Sequence, residues 1–339
     1  MKAPAPGCDS LKGCLETSSK RRGLSRRLGP AKLTRPALEF PFRHPLHDWF
    51  GKTFLNQPGR SLQTEHTRPQ EQTLKSRKLR INYYVEPDAA ALARRAAQYF
   101  TEMVREAVDA QGMARIAISG GSTPKAAFQL LASPHQPYRA AMPWQQLELY
   151  WVDERTVPPG NPDSNYHMTR KALLDHVPLP PARVHRMEGE LDPEVAASRY
   201  ESELRNSLRL EGAESPRFDL ISLGMGPDGH TASLFPQTQA IHEMSRLVTA
   251  NHVPQLDTWR LTLTWPVINH SSSVFFLISG ADKAERVREV FMGPHDPERL
   301  PSQLIWPSSG ILSLFLDKDA AALLPATDAE GRGVLERER

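Results

Sequence analysis

The chain has 339 residues, 39% hydrophobic and 24% charged, an ordinary composition for a globular protein with one large or two modest cores. No apolar run reaches the roughly 20 residues that a bilayer span requires, which argues against a membrane protein. The net charge of +3 hides an asymmetry: residues 1–78 carry 16 Lys and Arg against 6 Asp and Glu, and the remainder carries 26 against 33. The positive charge therefore belongs to the leader, and the acidic body offers no footprint for nucleic acid.

Residues 1–78 are rich in Arg, Pro, Ser and Gln and show neither a helical nor a strand period. Lys20-Arg21-Arg22 and Arg26-Arg27 have the character of a solvated, mobile segment. The first 35 residues share the Arg- and Ser-rich, acid-poor texture of a transit peptide, so organelle targeting stays open beside a plain disordered tail or sequence upstream of the true start. His44-Pro-Leu-His47 with Cys8 and Cys14 fits no standard zinc spacing, and no metal is expected. The two cysteines both lie in the leader, so the body needs no disulfide; this suits a reducing compartment and a cytoplasmic location.

From residue 79 the texture changes. Ile81–Val85 predicts a strand, and Pro87–Asp109 a long amphipathic helix with Leu92, Ala96, Phe100 and Val104 on its inner face. Arg115–Ser119 predicts a second strand, followed by a Gly-rich turn and a helix over Lys125–Leu131. Leu147–Val152 predicts a third, ending in Asp153-Glu154-Arg155. Further helices are expected from Ser164-Asn165-Tyr166 through Leu174 and over Pro193–Leu210. Then come strands at Asp219–Leu223, Leu247–Ala250, Arg260–Thr264 and Val274–Ser279, and a helix at Ala281–Phe291. This alternation predicts an α/β domain over 79–325, a Rossmann-like, mostly parallel sheet with helices on both faces, and a charged tail over 326–339. Ligands of such sheets sit at the carboxyl ends of the strands, where three glycine- or acid-rich turns fall here.

The first turn is Ser119-Gly120-Gly121-Ser122-Thr123-Pro124. Exposed N–H groups at a helix start, two glycines and two hydroxyls suit a phosphate. A tight turn with Thr123 as N-cap and Pro124 in the first helical position explains the same residues. In the second, Arg155 offers a forked donor for phosphate or carboxylate, with Asp153 and Asn165 near it for sugar hydroxyls; an acid–Arg155 ion pair is the plain alternative. The third, Gly224-Met-Gly226-Pro-Asp228-Gly229-His230, matches the dinucleotide fingerprint literally. The next strand, however, ends in Asn251 rather than the acid that would hold a ribose. His230, just past the turn, can instead serve as a base near neutral pH, while helix capping is the bland role for Asp228.

Gly120-Gly121-Ser122-Thr123-Pro124, Asp153-Glu154-Arg155 with Ser164-Asn165-Tyr166, and Gly224 through Thr231-Ala-Ser-Leu-Phe-Pro236 resemble the 6-phosphogluconolactonase family. Trp259-Arg260-Leu-Thr-Leu-Thr264 and Gly280-Ala-Asp-Lys283-Ala-Glu285 are similar to the same family, in the same order, over residues 80–320. The resemblance implies a fold shared with glucosamine-6-phosphate deaminases and ribose-5-phosphate isomerases. It also implies cofactor-free hydrolysis of 6-phospho-D-glucono-1,5-lactone in the pentose phosphate pathway. It makes His230 the catalytic base and sets Gly121, Ser122, Thr123 and Arg155 around the phosphate. Gly120, Asp153, Asn165, Gly226, Asp228 and Arg260 are the remaining pocket positions.

Family members commonly carry a phosphate-holding lysine in the loop before the Arg-hydrophobic-Thr segment; here Val253-Pro-Gln255-Leu-Asp257 lacks it. The implied partner is a small sugar-phosphate lactone, bound by a monomer or small homo-oligomer. A deaminase-isomerase of the same fold usually has an Asn-Glu-Pro ending after its histidine, which Thr231–Pro236 does not. A non-catalytic sugar-phosphate sensor normally brings a helix-turn-helix, which the Pro-rich leader does not resemble.

Overall fold

A computed structural model describes residues 78–338. The basic leader, the two cysteines and the His44/His47 pair lie outside the described residues. In chain order the elements are β1 (Lys78–Glu86), α1 (Ala89–Gln111), β2 (Ala114–Ile118), α2 (Ser122–Ala132), α3 (Pro137–Ala141), β3 (Leu147–Trp151), β4 (Asp153–Arg155), α4 (Asn165–Ala172) and β5 (Val184–His185). They continue with α5 (Pro193–Ser207), β6 (Leu220–Leu223), β7 (Val248–Val253), β8 (Thr258–Leu263), α6 (Trp265–Asn269), β9 (Ser273–Ile278), α7 (Ala284–Met292), β10 (Ile311–Asp317) and β11 (Arg332–Glu338).

Eight strands form one sheet in the order β11-β1-β10-β9-β6-β2-β3-β5, parallel throughout except for β11. All six residues of β9 are buried, as a central strand covered on both faces requires. Successive side chains leave a strand on opposite faces, so the neighbours Phe275 and Phe276 enter different cores. Phe275 joins Phe100 and Phe128 on the α1–α2 side, and Phe276 joins Val287 and Phe291 on the α7 side. Burial of each ring contributes about 1.5–3 kcal/mol.

Helix α1 starts where the Asp88 carboxylate accepts from Ala91 N at 2.7 Å. It stops at Gly112, whose φ of 80° lets its N–H return to Val108 O. Leu92, Ala96, Tyr99, Phe100 and Val104 recur at helical spacing and face the sheet.

Three expectations change. The strands near 250 and 260 do not enter the parallel sheet. With β4 they make a separate antiparallel sheet, β4-β8-β7, because a tight hairpin joins β7 to β8 and permits only antiparallel pairing. The segment 326–339, expected as a charged tail, supplies β11, paired antiparallel to β1 with Leu335 as its buried anchor. Helix α2 begins at Ser122 with Gly121 as N-cap, so Thr123 does not cap it and Pro124 is its third residue, still within the turn where N–H groups lack intrahelical partners. Among the described residues no helix is long and apolar enough to cross a membrane.

Candidate active site

The carboxyl ends of β2, β3, β6 and β9 open onto one cavity of about 620 Å³, within the range of small-molecule sites. His230 and the substrate-pocket positions Gly120, Gly121, Ser122, Thr123, Asp153, Arg155, Asn165, Gly226, Asp228 and Arg260 all line it.

Gly120, Gly121, Ser122 and Thr123 form one wall. Gly121 adopts φ 116°, which favours glycine, and a Cβ on Gly120 would overlap the Asn165 side chain. No side chain caps α2, so its first-turn N–H groups meet the cavity without a side-chain acceptor. Beneath them Ser119 Oγ is buried with no hydrogen-bond partner.

The second wall is β4 and its surroundings. Asp153 and Asn165 are 6% and 2% exposed, and Asn165 Nδ2 donates to both the carbonyl (3.0 Å) and the carboxylate (3.3 Å) of Asp153. The other Asp153 oxygen accepts from Ser233 Oγ at 2.8 Å. Much of the polar capacity that the sequence reading assigned to sugar hydroxyls is thus already used within the protein. Arg155 forms no ion pair with its acidic neighbours; its Nη1 donates to Asp163 O at 2.6 Å. The β4–β8 register sets Arg155 opposite Arg260. Burial and the adjacent Arg155 charge push the Arg260 guanidinium below its usual value, against the opposing pull of Asp153, Asp163 and Glu154. Two neighbouring cations of this kind are relieved by an anion between them.

The third wall is the turn after β6. Gly226 N donates to His230 O (2.9 Å), Gly229 N to Gly226 O (3.1 Å) and Thr231 Oγ1 to Gly224 O (2.8 Å). From outside, Arg286 Nε holds Pro227 O at 2.9 Å and Ser302 N holds Gly229 O at 2.9 Å. Gly229 has φ 81°, and a Cβ on Gly226 would overlap the His230 ring. Phe235 stacks on that ring at 4.0 Å.

His230 Nδ1 lies 2.5 Å from Asp228 Oδ1. Burial alone would raise the Asp228 carboxyl, but the hydrogen bond and charge of His230 outweigh it and hold the carboxyl below its usual value. An ionised carboxylate only accepts, so Nδ1 carries a hydrogen, and in the neutral ring Nε2 then holds the lone pair. Asp228 thus holds the His230 imidazole rather than capping a helix.

Lys283 and Leu256 are among the cavity residues to which the sequence assigned no role. Lys283, only 19% exposed at its side chain, enters from the loop after β9. The signal was its place three residues after Gly280 at a strand end. Leu256 enters from the β7–β8 hairpin, where it is 53% exposed; nothing but its proximity to the missing lysine marked it. Gln255, beside it, donates to Pro236 O at 3.3 Å.

Comparison with known proteins agrees with this fold. Residues 87–314 match the family model described as glucosamine-6-phosphate isomerases/6-phosphogluconolactonase. The 6-phosphogluconolactonase of a Synechocystis species is 42% identical over 230 residues, 68% of this chain and 92% of that protein. That of Haemophilus influenzae is 37% identical over 209 residues, 62% and 87%. The solved 6-phosphogluconolactonase of Trypanosoma cruzi superposes with a TM-score of 0.63 at 30% identity, covering 73% of this chain and 97% of that one. The chain belongs to the glucosamine-6-phosphate isomerase/6-phosphogluconolactonase family.

Proposed function

We propose that the protein hydrolyses 6-phospho-D-glucono-1,5-lactone to 6-phospho-D-gluconate in the pentose phosphate pathway, with His230 activating the attacking water. The observation that carries this reading is the Asp228–His230 pair sharing one cavity with the Arg155–Arg260 pair and the uncapped start of α2. The phosphate dianion is the ligand that these cations, Lys283 and the α2 N–H groups suit. Nε2 of His230 takes a proton as water adds to the lactone carbonyl. The resulting tetrahedral oxyanion collapses with cleavage of the ring C–O bond, and the proton passes to the departing ring oxygen. Asp228 stabilises the imidazolium in between. The N–H groups of Gly226 and Gly229 are already donated within the turn, so stabilisation of the oxyanion falls to other donors.

The assembly we infer for this activity is a monomer or small homo-oligomer acting on a small sugar-phosphate lactone. A cytoplasmic location fits the cysteine-free body. The test is acid release from fresh lactone against spontaneous hydrolysis. Wild type should accelerate it, and His230→Ala should lose about 10²–10⁴-fold in kcat. Acceleration that survives the substitution would remove His230 from its role, and ammonia release from glucosamine 6-phosphate would identify a deaminase instead.

A further inference from the structure

Asp153 and Arg155 flank a residue that does not reach the cavity. Glu154 is 2% exposed, and its carboxylate is surrounded by donors from two segments. Oε1 accepts from Arg155 N (2.8 Å) and Asn165 N (2.7 Å). Oε2 accepts from Ser164 Oγ (3.0 Å) and Tyr166 N (2.8 Å). Burial raises this carboxyl, partly offset by the three backbone N–H groups. An ionised side chain is buried at such a point only when it is fully hydrogen-bonded.

We infer that Glu154 is the positioning residue for the phosphate-binding arginine, an inference that rests on the lactonase reading of the cavity. One carboxylate joins the strand carrying Arg155 to the start of α4, carrying Asn165. Between those attachment points runs the loop whose Asp163 carbonyl accepts from the Arg155 guanidinium. The head group and the backbone of Arg155 are therefore held by a single closed circuit: Glu154 to Arg155 N, Arg155 Nη1 to Asp163 O, and Ser164, Asn165 and Tyr166 back to Glu154. Its negative charge also opposes the Arg155–Arg260 repulsion, acting on Arg260 together with Asp153 and Asp163. The sequence separation of ten residues between Glu154 and Ser164 is the length of loop that the circuit closes.

The test is a double-mutant cycle. Glu154→Gln is nearly isosteric but puts an NH₂ against two donors, which opens one arm of the circuit. KM for the lactone should rise about tenfold with kcat within about twofold, since only positioning of the binding group is lost. On an Arg155→Ala background the same substitution should leave KM within about twofold of Arg155→Ala alone. Ser164→Ala keeps the carboxylate and removes one donor together with the cap that Ser164 Oγ gives His167 N at the start of α4; it should raise KM about threefold, and it serves if Glu154→Gln does not fold.

An unchanged KM with only a lowered Tm, effects that multiply independently of Arg155, or kcat falling in step with KM would each overturn the inference. Calorimetric binding of 6-phosphogluconate and of inorganic phosphate by the same variants separates the two claims. A wild type that does not accelerate lactone hydrolysis sinks the lactonase reading, whereas Glu154→Gln binding both anions as tightly as wild type sinks the role of Glu154.

Discussion

The turn after β6 and the short strand β4 meet at one cavity, but different physics holds their working side chains. In the turn, position follows from lack of space: Gly226 leaves no room for a Cβ beside His230, and Phe235 stacks on the ring. Around β4, position follows from polar satisfaction. Asp153 and Glu154 are buried carboxylates whose oxygens accept from Ser233, Asn165, Ser164, Tyr166 and Arg155. A base must be held in one orientation, which tight packing provides. A cation for a phosphate needs a fixed place and a counter-charge, which buried acids provide.

The sharpest way to break this contrast is Gly226→Ala. The added methyl collides with the imidazole, so turnover should fall by about 10²-fold or more, with KM much less affected. Steady-state kinetics on fresh lactone would measure it, and near-wild-type kcat would show that the turn relaxes and that packing is not what holds the ring. On the β4 side, Arg260→Ala should raise KM about tenfold or more and spare kcat, because a phosphate contact made equally in ground and transition states contributes uniform binding. A kcat loss matching the KM change would place Arg260 at the reacting carbonyl instead.

The smallest effect belongs to Asp228→Asn, which keeps the shape but not the charge that orients His230. Here kcat should fall about tenfold. The variant also carries a signature in pH. The folded-state carboxyl of Asp228 lies below its ordinary value of 3.8, so its contribution to stability is present above that pH and lost as pH falls through the lower folded value. Thermal melts between pH 5 and the acid limit should therefore be slightly flatter in Asp228→Asn than in wild type. An equal or steeper acid dependence would show that the pair does not stabilise the fold.

The two regions also differed in how much the sequence revealed. Apolar runs such as Ser273–Ile278 predict a buried parallel strand on their own, and the glycines at 120, 121, 226 and 229 mark the strand-end turns because few other residues fit there. The hairpin of β7 and β8 lies in the same kind of short apolar pattern as a parallel strand, and only the connection length separates the two. β11 was hidden because Arg332–Glu338 sets only two adjacent apolar residues, Val334 and Leu335, among charges, the texture of a solvated segment; pairing with β1 depends on a partner about 250 residues away in sequence, which no local pattern encodes. Lys283 belongs to the Gly280–Glu285 motif, but its approach to the cavity depends on the packing of β9 beside β6. Glu154, read as one acid of an ion pair, was legible as a charge and not as the receiver of donors from 164–166, since its partners are set by the loop between them.

The paired arginines carry one last consequence. In the proposed reaction, opening the lactone changes the first carbon of the sugar and leaves the phosphate at the sixth untouched, so phosphate contacts from Arg155 and Arg260 would hold product as firmly as substrate. A handle of that kind captures a scarce, short-lived lactone before it hydrolyses unaided, and it retains the acid afterwards. In that reading, discrimination between the two falls to the His230 end of the cavity, where the negative charge of Asp228 would disfavour a new carboxylate.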